Sequence, residues 1–367
     1  MSSRDELEGR KLIDYANSYP DDFDDSDEDE EFYALDDGDY LLSAKWRARF
    51  RLVAQRVPRR LQRYFVYYLL GFIVFLIGWL IFVAPYLSAL RKEYKDMSST
   101  PHDRFGLNKR PEFEGLVQTK RLEAWHLPRG DAKLVVVGDV HGCKKELEQL
   151  LEKVGFQEQR DHLILTGDII AKGPDSAGVV SLASRLGASC VRGNHEDKLL
   201  LSLAAANSAT TPSHIDNPTL TLAKSLSTSE ISYLQACPVI LDVGPIGALE
   251  HVAVVHAGLV PDMTLAEQDP FQVMNMRTMN MATRTPSEKR EGSPWTKFWN
   301  HYQKNRNADE EKWSVIYGHD KKRGFTVKDW SYGLDSGCVS GGKLTAMVIG
   351  ERGEHEFVHV KCDGYVK

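Results

Sequence analysis

The sequence predicts a layered α/β domain preceded by a single membrane-spanning helix. Beyond residue 130, short apolar β-branched runs each end in a compact polar signature, and a helical stretch usually follows. This alternation is typical of a layered α/β fold. Before the domain, residues 64–90 carry no charged side chain, and about 20 apolar helical residues are enough to cross a bilayer core. A chain of 367 residues can build one substantial core with accessory segments.

The amino-terminal region divides into an acidic block and a basic block. Residues 1–40 hold sixteen Asp and Glu against three Lys and Arg, and residues 41–63 hold eight Lys and Arg and no acid. The acidic block has too few apolar side chains to fold by itself, so residues 1–63 are predicted to form a disordered tail. The rest of the chain is nearly neutral, so any positive patch in the domain must be local.

The apolar run from 64 to 90 is predicted to be a transmembrane signal anchor. More than sixty residues precede it, which argues against a cleaved signal peptide. Eight cationic side chains lie before it, while the three that follow are accompanied by acids. The more cationic flank stays in the cytosol, so we expect a cytosolic amino terminus, a linker at 91–130 and a lumenal domain at 131–367.

The cysteines give little information at this stage. Their number, five, is odd, and no two form a CxxC pair. The sequence therefore indicates neither a disulfide framework nor a zinc knuckle, and it leaves the redox compartment undetermined.

Five short runs in the domain are predicted to be buried strands. They occupy residues 133–137, 162–166, 189–191, 251–255 and 314–317. Their polar signatures are GDVHG, GDIIAKGP, VRGNHED, HAGL and GHD, in that order. Ligands and catalytic groups collect at strand ends in such sheets. The five signatures are therefore expected to meet in one site.

The residues in these signatures are of the types that bind divalent cations. Asp139 and His141 stand two apart after the first strand, so their side chains leave the same face of an extended segment. Asp168 can bridge two ions through its two oxygens. Neutral donors come from Asn194, His256 and His319. A shell of mixed oxygen and nitrogen donors suits several divalent metals, and the sequence does not choose among them.

Taken in order, these signatures resemble those of the PPP-type metallophosphoesterases, over about residues 130 to 350. The resemblance implies a β-sandwich flanked by helices. It departs from the protein-phosphatase branch at Ala171 and Lys172, where that branch has an acid and an arginine. The KGP form, with GHD and the segment beginning Asp335-Ser336-Gly337-Cys338, is similar to the branch of bacterial diadenosine tetraphosphatases and their eukaryotic relatives, which include fungal vacuolar endopolyphosphatases.

The resemblance also implies roles for individual residues. It implies two divalent ions, with zinc favoured among Zn, Mn, Co and Mg. One ion would be held by Asp139, His141 and Asp168, and the other by Asp168, Asn194, His256 and His319. His195 would be the general acid, and Lys172, Arg192 and Arg277 would bind phosphate oxygens. Glu196 is expected to orient its neighbours, and Asp320 to support His319.

The expected function is hydrolysis of phosphoanhydride bonds in inorganic polyphosphate, in a vacuole-like lumen. A dinucleoside polyphosphatase would use the same metal ligands and differ in a pocket for the base. The sequence also leaves open a Ser/Thr protein phosphatase and an inactive membrane adaptor. The partners expected are the phosphoanhydride substrate and the membrane, and no nucleic-acid polymer.

Overall fold

The computed structural model describes residues 58–97, 116–208 and 218–366. The acidic tail predicted at the amino terminus lies outside the described residues. The described chain divides into two units, an apolar helical segment and a folded domain. Each unit is considered by itself below.

The helical segment consists of α1 (Arg59–Gly78), a π-helical turn (Trp79–Val83) and α2 (Ala84–Met97). The π-helical turn lies just before Pro85, which has no N–H to donate to the preceding turn, and such irregular turns accommodate a missing bond of this kind. Arg63–Lys95 is long and apolar enough to cross a membrane, with a mean hydropathy of 2.5 and none of its apolar window buried. The predicted apolar helix is therefore present, and it extends beyond both predicted ends.

The domain is built from fourteen described strands. Several are short and fully buried, among them Leu134–Val137, His162–Leu165 and His251–Val255, which fits their Val, Ile and Leu content. In chain order they are β1 (Thr119–Arg121), β2 (Leu134–Val137), β3 (His162–Leu165), β4 (Ser189–Cys190), β5 (Ile240–Pro245), β6 (His251–Val255), β7 (Thr278–Met279), β8 (Pro286–Ser287), β9 (Ser293–Pro294), β10 (Trp313–Tyr317), β11 (Thr326–Lys328), β12 (Ser331–Gly333), β13 (Lys343–Ile349) and β14 (His355–Lys361).

Seven described α-helices accompany these strands. They are α3 (Lys144–Val154), α4 (Ser176–Arg185), α5 (Asn194–Ser208), α6 (Pro218–Ser225), α7 (Thr228–Ala236), α8 (Pro270–Asn275) and α9 (Trp295–Lys304). Local sequence explains several of their ends. The Ser227 hydroxyl and the Glu230 side chain form a capping box at the start of α7, and Gly155 ends α3 in the left-handed conformation at φ 67°.

The strands form two large sheets and one small one. The first has the order β1-β5-β6-β10-β12-β11, the second β14-β13-β2-β3-β4, and the small one β8-β7-β9. In the first sheet β10 runs parallel to both β6 and β12. In the second, β2, β3 and β4 are mutually parallel. The carboxyl ends of the parallel strands therefore lie at one edge of each sheet.

The two large sheets pack face to face, and helices cover their outer faces. Leu134 and Val136 of β2 belong to a core shared with Val252 and Val254 of β6. The alternate β2 residues join a second core that contains α3 and α4 side chains, because successive strand side chains point to opposite faces. A third core joins the first sheet to α9. This arrangement confirms the predicted α/β class, and all five predicted strands are present to within a residue or two.

The region expected to be a linker contains regular structure at both ends. Helix α2 continues to Met97, and β1 pairs in parallel with β5 from Thr119 to Arg121. The described part of the domain therefore begins at residue 116, earlier than the predicted 131. Residues TKR have exposed side chains, so no apolar pattern marks this edge strand in the sequence.

The domain contains two disulfides, which the spacing of the cysteines in the sequence does not indicate. Cys190 is bonded to Cys237 and Cys338 to Cys362, at separations of 47 and 24 residues. The fifth cysteine, Cys143, is a buried thiol outside both bonds, which explains the odd count. Partners this far apart leave no local spacing signal, and only the three-dimensional fold brings them together.

Candidate active site

Loops from both large sheets meet at one edge of the sandwich. Asp139 and His141 follow β2, and Asp168 follows β3, in the second sheet. His256 follows β6 and His319 follows β10, in the first sheet. Asn194 begins α5, directly after the loop that leaves β4. Both sheets thus contribute side chains to the same place, as expected for strand-end ligands.

Asp168 lies at the centre of this cluster. Its Oδ1 is 3.3 Å from Nε2 of His256, and its Oδ2 is 3.4 Å from Nε2 of His141. The Oδ1 of Asn194 is 3.0 Å from the same His256 nitrogen. The carboxylate of Asp139 accepts hydrogen bonds of 3.1 Å from the backbone N–H of His319. The structure therefore brings all six predicted metal-ligating residues together.

Backbone carbonyls fix the tautomers of three of the histidines. The Nδ1 of His141 lies 3.1 Å from the Ile170 carbonyl, and the Nδ1 of His256 lies 2.8 Å from the Thr166 carbonyl. The Nε2 of His319 is 2.9 Å from the Asn275 carbonyl. A carbonyl only accepts, so each of these nitrogens must carry the proton. The opposite nitrogen of each ring then presents a lone pair to the cluster, as in metal-ligating histidines.

The backbone is strained at three of the ligand positions. The φ values are positive: 46° at His141, 47° at Asp168 and 70° at His319. Residues other than glycine seldom adopt this region. Such strain persists only where the surroundings impose it, and it is common at functional sites. It lets each side chain turn into the cluster directly after its strand.

Two glycines are required by close packing around the acids. A Cβ at Gly318 would overlap the Asp139 carboxylate, and one at Gly193 would overlap the backbone and carboxylate of Asp168. The glycines of GHD and RGNHE therefore allow the carboxylates to approach the neighbouring chain.

Glu196 holds the Asp168 loop from beneath. Its Oε2 accepts hydrogen bonds from the backbone N–H groups of Asp168 (2.8 Å) and Gly193 (2.9 Å). Its Oε1 accepts from Ile169 and Ile170 at 2.8 and 3.2 Å. Burial and the charge of Asp168 raise the pKa of Glu196 to about 7. This carboxylate thus orients its neighbours, as predicted from the sequence.

The cluster concentrates negative charge in a buried place. Burial and then the charge of Asp335 raise the pKa of Asp139 well above its usual range. Burial also raises the pKa of Asp335, to about 6. Asp168 is buried as well, but His256, His195 and His141 outweigh that burial and hold its pKa well below the usual range. Carboxylates gathered in this way need compensating positive charge, and divalent cations would supply it.

Two groups of side chains in the described structure could each hold a metal ion. One comprises His141, Asp168 and His195, and the other Asp168, His256 and His319, with the ligand atoms of each group within 4.8 Å of one another. Asp168 belongs to both groups, as a bridging carboxylate would. The donors are carboxylate oxygens and imidazole nitrogens whose tautomers are fixed. This set fits two divalent ions.

His195 lies at the more open side of the cluster. Its Nε2 is 3.9 Å from Oδ2 of Asp168, and its side chain is 20% exposed against 8% for His141. The two imidazole rings meet edge to face, with centroids 5.0 Å apart. His195 therefore stands beside the ligands and also reaches solvent.

Two of the predicted phosphate-binding cations, Lys172 and Arg277, act electrostatically on different histidines of the cluster. Burial lowers the pKa of His141 to about 3, and the charge of Lys172 adds to that shift. Burial and then the charge of Arg277 lower the pKa of His319 well below its usual range. The Arg277 Nη1 also donates to the Glu288 carbonyl at 3.0 Å.

Arg192 does not occupy the position expected of a phosphate ligand. Its side chain is fully buried; Nη2 donates to the Gln235 carbonyl at 2.9 Å, and Nη1 is 3.7 Å from Oδ1 of Asp197. The guanidinium therefore ties the GNH loop to the end of α7. From the sequence alone, an arginine next to the metal-binding GNH signature indicates substrate binding. In the structure the Arg192 side chain points into the domain interior instead.

Asp320 also has partners other than the expected one. It pairs with Arg290, whose Nη2 is 2.5 Å from Oδ1, and with Arg323, whose Nε is 3.3 Å from Oδ2. The second nitrogen of His319 is taken by the Asn275 carbonyl instead. Support for His319 thus comes from the backbone at the end of α8.

Sequence reasoning missed Asp335 as a member of the cluster. Leu334 donates its N–H to the Tyr317 carbonyl at 2.8 Å, so Asp335 follows β12 directly beside the β10 end that carries His319. The Asp335 Oδ1 accepts from the Gly337 N–H at 2.9 Å. A buried strand followed by an acid was the available signal, because it is the same pattern that identified Asp139 and Asp168.

Comparisons with known proteins agree with this geometry. The profile of the calcineurin-like phosphoesterases matches residues 132–350. A zinc-dependent endopolyphosphatase of Saccharomyces cerevisiae is 30% identical over 289 residues, covering 66% of this chain and 84% of the relative. A symmetrical bis(5'-nucleosyl)-tetraphosphatase of Nitrosococcus oceani is 27% identical over 297 residues, covering 64% of this chain and 99% of the relative.

A solved structure is similar as well. The crystal structure of a putative diadenosine tetraphosphatase shares 34% identity and superposes with a TM-score of 0.54, covering 67% of this chain and 98% of that one. These findings confirm the resemblance predicted from the strand-end signatures. The chain belongs to the calcineurin-like phosphoesterase family.

Proposed function

We propose that this chain hydrolyses phosphoanhydride bonds, with inorganic polyphosphate as its substrate, at a two-metal centre. One observation carries the proposal. The Nε2 of His256 and the Nδ1 of His319 lie 3.2 Å apart, while the other nitrogen of each ring is committed to a backbone carbonyl. Two facing lone pairs repel unless a cation or a proton lies between them. The similarity to a zinc-dependent endopolyphosphatase supports polyphosphate as the substrate.

The residues divide the work of holding the ions. We assign Asp139, His141 and Asp168 to one ion, and Asp168 with the neutral donors Asn194, His256 and His319 to the other. When bound, such a pair of ions supplies an activated water and neutralises charge on phosphate oxygens. Asp168 would serve both ions, because one of its oxygens lies near His256 and the other near His141.

His195 is assigned as the general acid. It lies beside Asp168 and is more exposed than His141, so it can reach a leaving oxygen at the mouth of the site. A positioned imidazole typically contributes about 10²- to 10⁴-fold to a rate by proton transfer. The leaving group of an anhydride is itself a phosphate, which needs less protonation than an alcohol. Ala171, in place of an acid, is compatible with that lesser demand.

Lys172 and Arg277 are assigned to the phosphate oxygens. Lys172 acts electrostatically on His141 and Arg277 on His319, so both charges would also act on a phosphate bound at the cluster. Lysine provides a mobile point charge and arginine a planar fork with two parallel donors.

Zinc is the metal we favour. Imidazole nitrogen and carboxylate oxygen are both good zinc ligands, and the yeast relative is named as zinc-dependent. Mn, Co and Mg remain the comparison ions, because carboxylates also suit Mn and Mg.

The deciding experiment is an assay of the full chain in detergent. Long-chain polyphosphate is incubated with the protein after chelation and re-addition of Zn, Co, Mn or Mg, and its length is followed on gels. We expect shortening that depends on metal and is lost in Asp168→Asn. The exposed Asp131 offers a matched control, since Asp131→Asn makes the same chemical change away from the site. No shortening with any of these metals would end the proposal.

A dinucleoside polyphosphatase is the second candidate. It is favoured by the likeness to a putative diadenosine tetraphosphatase at 34% identity. Diadenosine tetraphosphate and polyphosphate are therefore compared at equal phosphoanhydride concentration. A higher kcat/KM on the dinucleotide would assign the site to that activity.

We further propose that Arg63–Lys95 crosses a membrane and that the domain is lumenal, in a vacuole-like compartment. The cationic residues before the helix favour a cytosolic amino terminus. The two disulfides favour an oxidising compartment for the domain. Protease added to sealed vesicles should leave the domain intact and remove the first 57 residues. Digestion of the domain from the cytosolic side would reverse the orientation.

A further inference from the structure

A group of cationic side chains lies beside the metal-ligand cluster. Residues 277–297 and 320–329 together hold nine Lys and Arg against four Asp and Glu, in a chain whose net charge is -6. We refer to five of these side chains as the cationic rim: Arg277, Arg290, Lys297, Arg323 and Lys328. All lie within the folded domain.

The small sheet carries the first part of the rim. Strand β7 follows Arg277, and the backbone N–H of Arg277 donates to the Ser287 carbonyl of β8 at 2.8 Å. The Thr278 hydroxyl lies 2.7 Å from the Lys289 carbonyl and 2.8 Å from the Glu291 carbonyl, and its one proton is donated to these two acceptors in turn or shared between them. These bonds fix the loop between β8 and β9, which carries Arg290.

The rim continues past the metal-ligand cluster at Asp320. Arg290 and Arg323 both pair with this one carboxylate, which directly follows the ligand His319 in sequence. Two guanidinium groups share a single negative charge there, so the pair retains a net positive charge. The Arg290–Asp320–Arg323 group therefore connects the metal-ligand cluster with the rest of the rim.

Beyond Asp320, Lys328 of β11 contacts the start of α9, which carries Lys297. The Nζ of Lys328, on β11, donates to the Thr296 hydroxyl at 3.3 Å, which brings it next to Lys297 on α9. Burial and then the charges of Arg323 and Lys297 lower the pKa of Lys328. Like charges in one region of a protein repel one another, and an anionic ligand bound there offsets that repulsion.

The position of the rim points to a ligand with many phosphates. The rim starts beside His319, one of the proposed metal-binding residues, and continues to β11 and α9. Lys328 lies on the edge strand β11, and β12 separates β11 from β10, whose end carries His319. A linear chain of phosphates that leaves the cluster on this side would therefore contact the rim. Binding by point charges along such a backbone is independent of sequence and strongly dependent on salt.

We propose that the cationic rim binds the part of a polyphosphate chain that extends beyond the bond being cleaved. This inference rests on the proposed function and adds a second binding surface to it. The rim makes the enzyme prefer long chains, and it can hold a chain at interior phosphates as well as near its end.

The test uses Lys297→Gln/Lys328→Gln in the full chain. The matched control is Lys144→Gln/Lys153→Gln, which removes two lysines from α3, on the layer covering the other sheet. For the rim variant we expect KM for long-chain polyphosphate to rise about tenfold, the range for two partly exposed ionic contacts. The kcat and KM measured with tripolyphosphate serve as the internal reference and stay unchanged.

A binding measurement separates this inference from the proposed function. Fluorescently labelled long-chain polyphosphate is titrated with protein in chelating buffer, where no cleavage occurs, at several salt concentrations. The rim variant should lose about two units of salt slope, one for each lysine. An unchanged slope and KM in the rim variant would overturn the inference while leaving polyphosphatase activity intact.

Two further outcomes also decide the question. A variant that loses affinity for anionic vesicles but binds polyphosphate normally would assign the rim to a membrane surface and overturn the proposal. If the unaltered protein binds labelled polyphosphate with the expected slope but cleaves none, the proposed function fails and the rim stands as a polyanion-binding surface.

Discussion

The Nε2 of His256 faces the Nδ1 of His319 at 3.2 Å, and a backbone carbonyl occupies the far side of each ring. In the absence of a metal, a proton must separate the two nitrogens. Although burial lowers the pKa of His256, the Asp168 carboxylate outweighs it and raises that pKa to about 10. Without a metal, His256 is therefore protonated at ordinary pH values, and its positive charge stands where a metal cation would bind.

Loss of the bridging carboxylate should remove both ions. Asp168→Asn leaves one oxygen and no charge where two oxygens now face His141 and His256. Replacing a residue that only hydrogen-bonds to a metal ligand typically lowers metal affinity about 10- to 100-fold. Asp168 is itself a proposed ligand, so we expect a larger loss of affinity and activity. Metal content by mass spectrometry checks it, with Asp131→Asn as the control. Retention of two ions per chain by Asp168→Asn would contradict the bridging assignment.

Glu196→Gln should weaken metal binding without touching a ligand. The amide keeps one acceptor oxygen for four backbone N–H groups that now share two. Leaving a buried donor unsatisfied costs about 1–3 kcal/mol, so the melting temperature should fall, and metal affinity with it. Glu148→Gln on the exposed side of α3 is the matched control. A fall in stability with metal affinity unchanged would limit Glu196 to a structural role.

The disulfides should contribute unequally to stability. In the chain-entropy description, loops of 47 and 24 residues correspond to about 4 and about 3.5 kcal/mol. Replacing Cys190 and Cys237 by serine should therefore lower the denaturant midpoint slightly more than replacing Cys338 and Cys362. Denaturation with and without reductant measures both. Reductant should destabilise Cys143→Ala as much as the unaltered protein, because Cys143 is in neither bond.

His251 should stabilise the domain in acid more than at neutral pH. Its two nitrogens lie 2.6 Å from Asp242 and 2.7 Å from Glu311. Burial lowers the pKa of His251, but these hydrogen bonds and charges outweigh it and raise that pKa. A raised pKa in the folded state means that the stabilisation is complete below the unfolded value, about 6.5. It is lost as pH rises through the folded value.

The corresponding measurement is the melting temperature of His251→Gln against the unaltered protein at pH 5 and pH 8. The difference between the two proteins should be larger at pH 5. His359→Gln, an exposed histidine on β14, supplies the control for a general histidine effect. An equal difference at both pH values would show that His251 stabilises by packing on Trp313, 3.7 Å away between ring centroids.

The convergence of the six proposed metal ligands was predictable from the sequence, because each of them follows a strand signal and is of a residue type that binds metals. A β-branched run marks a buried strand, and the acid, amide or imidazole that follows lies at its carboxyl end. Asp139, His256 and His319 all satisfy this rule in the structure. Asp335 satisfies it too, and it was overlooked because β12 is only three residues long.

Other features had no such signal. The acceptors that fix the histidine tautomers are backbone carbonyls of Ile170, Thr166 and Asn275, and any residue supplies a carbonyl. The inward turn of Arg192 depends on the end of α7, more than forty residues away. Disulfide partners and the pairing of β1 with β5 are likewise long-range contacts. They are determined by tertiary packing, which local sequence pattern does not contain.

The two sheets share the proposed metal ligands, and this has a consequence for the stability and turnover of the protein in a cell. Asp168 comes from one sheet, and His256 and His319 from the other, so unfolding would separate the proposed metal ligands and release any cations bound to them. A ligand at 100 times its Kd adds about 2.7 kcal/mol to the stability of the state that binds it. Copies that mature while trace metal is scarce would therefore be the first to open and be degraded, and the amount of enzyme would follow the metal supply of its compartment.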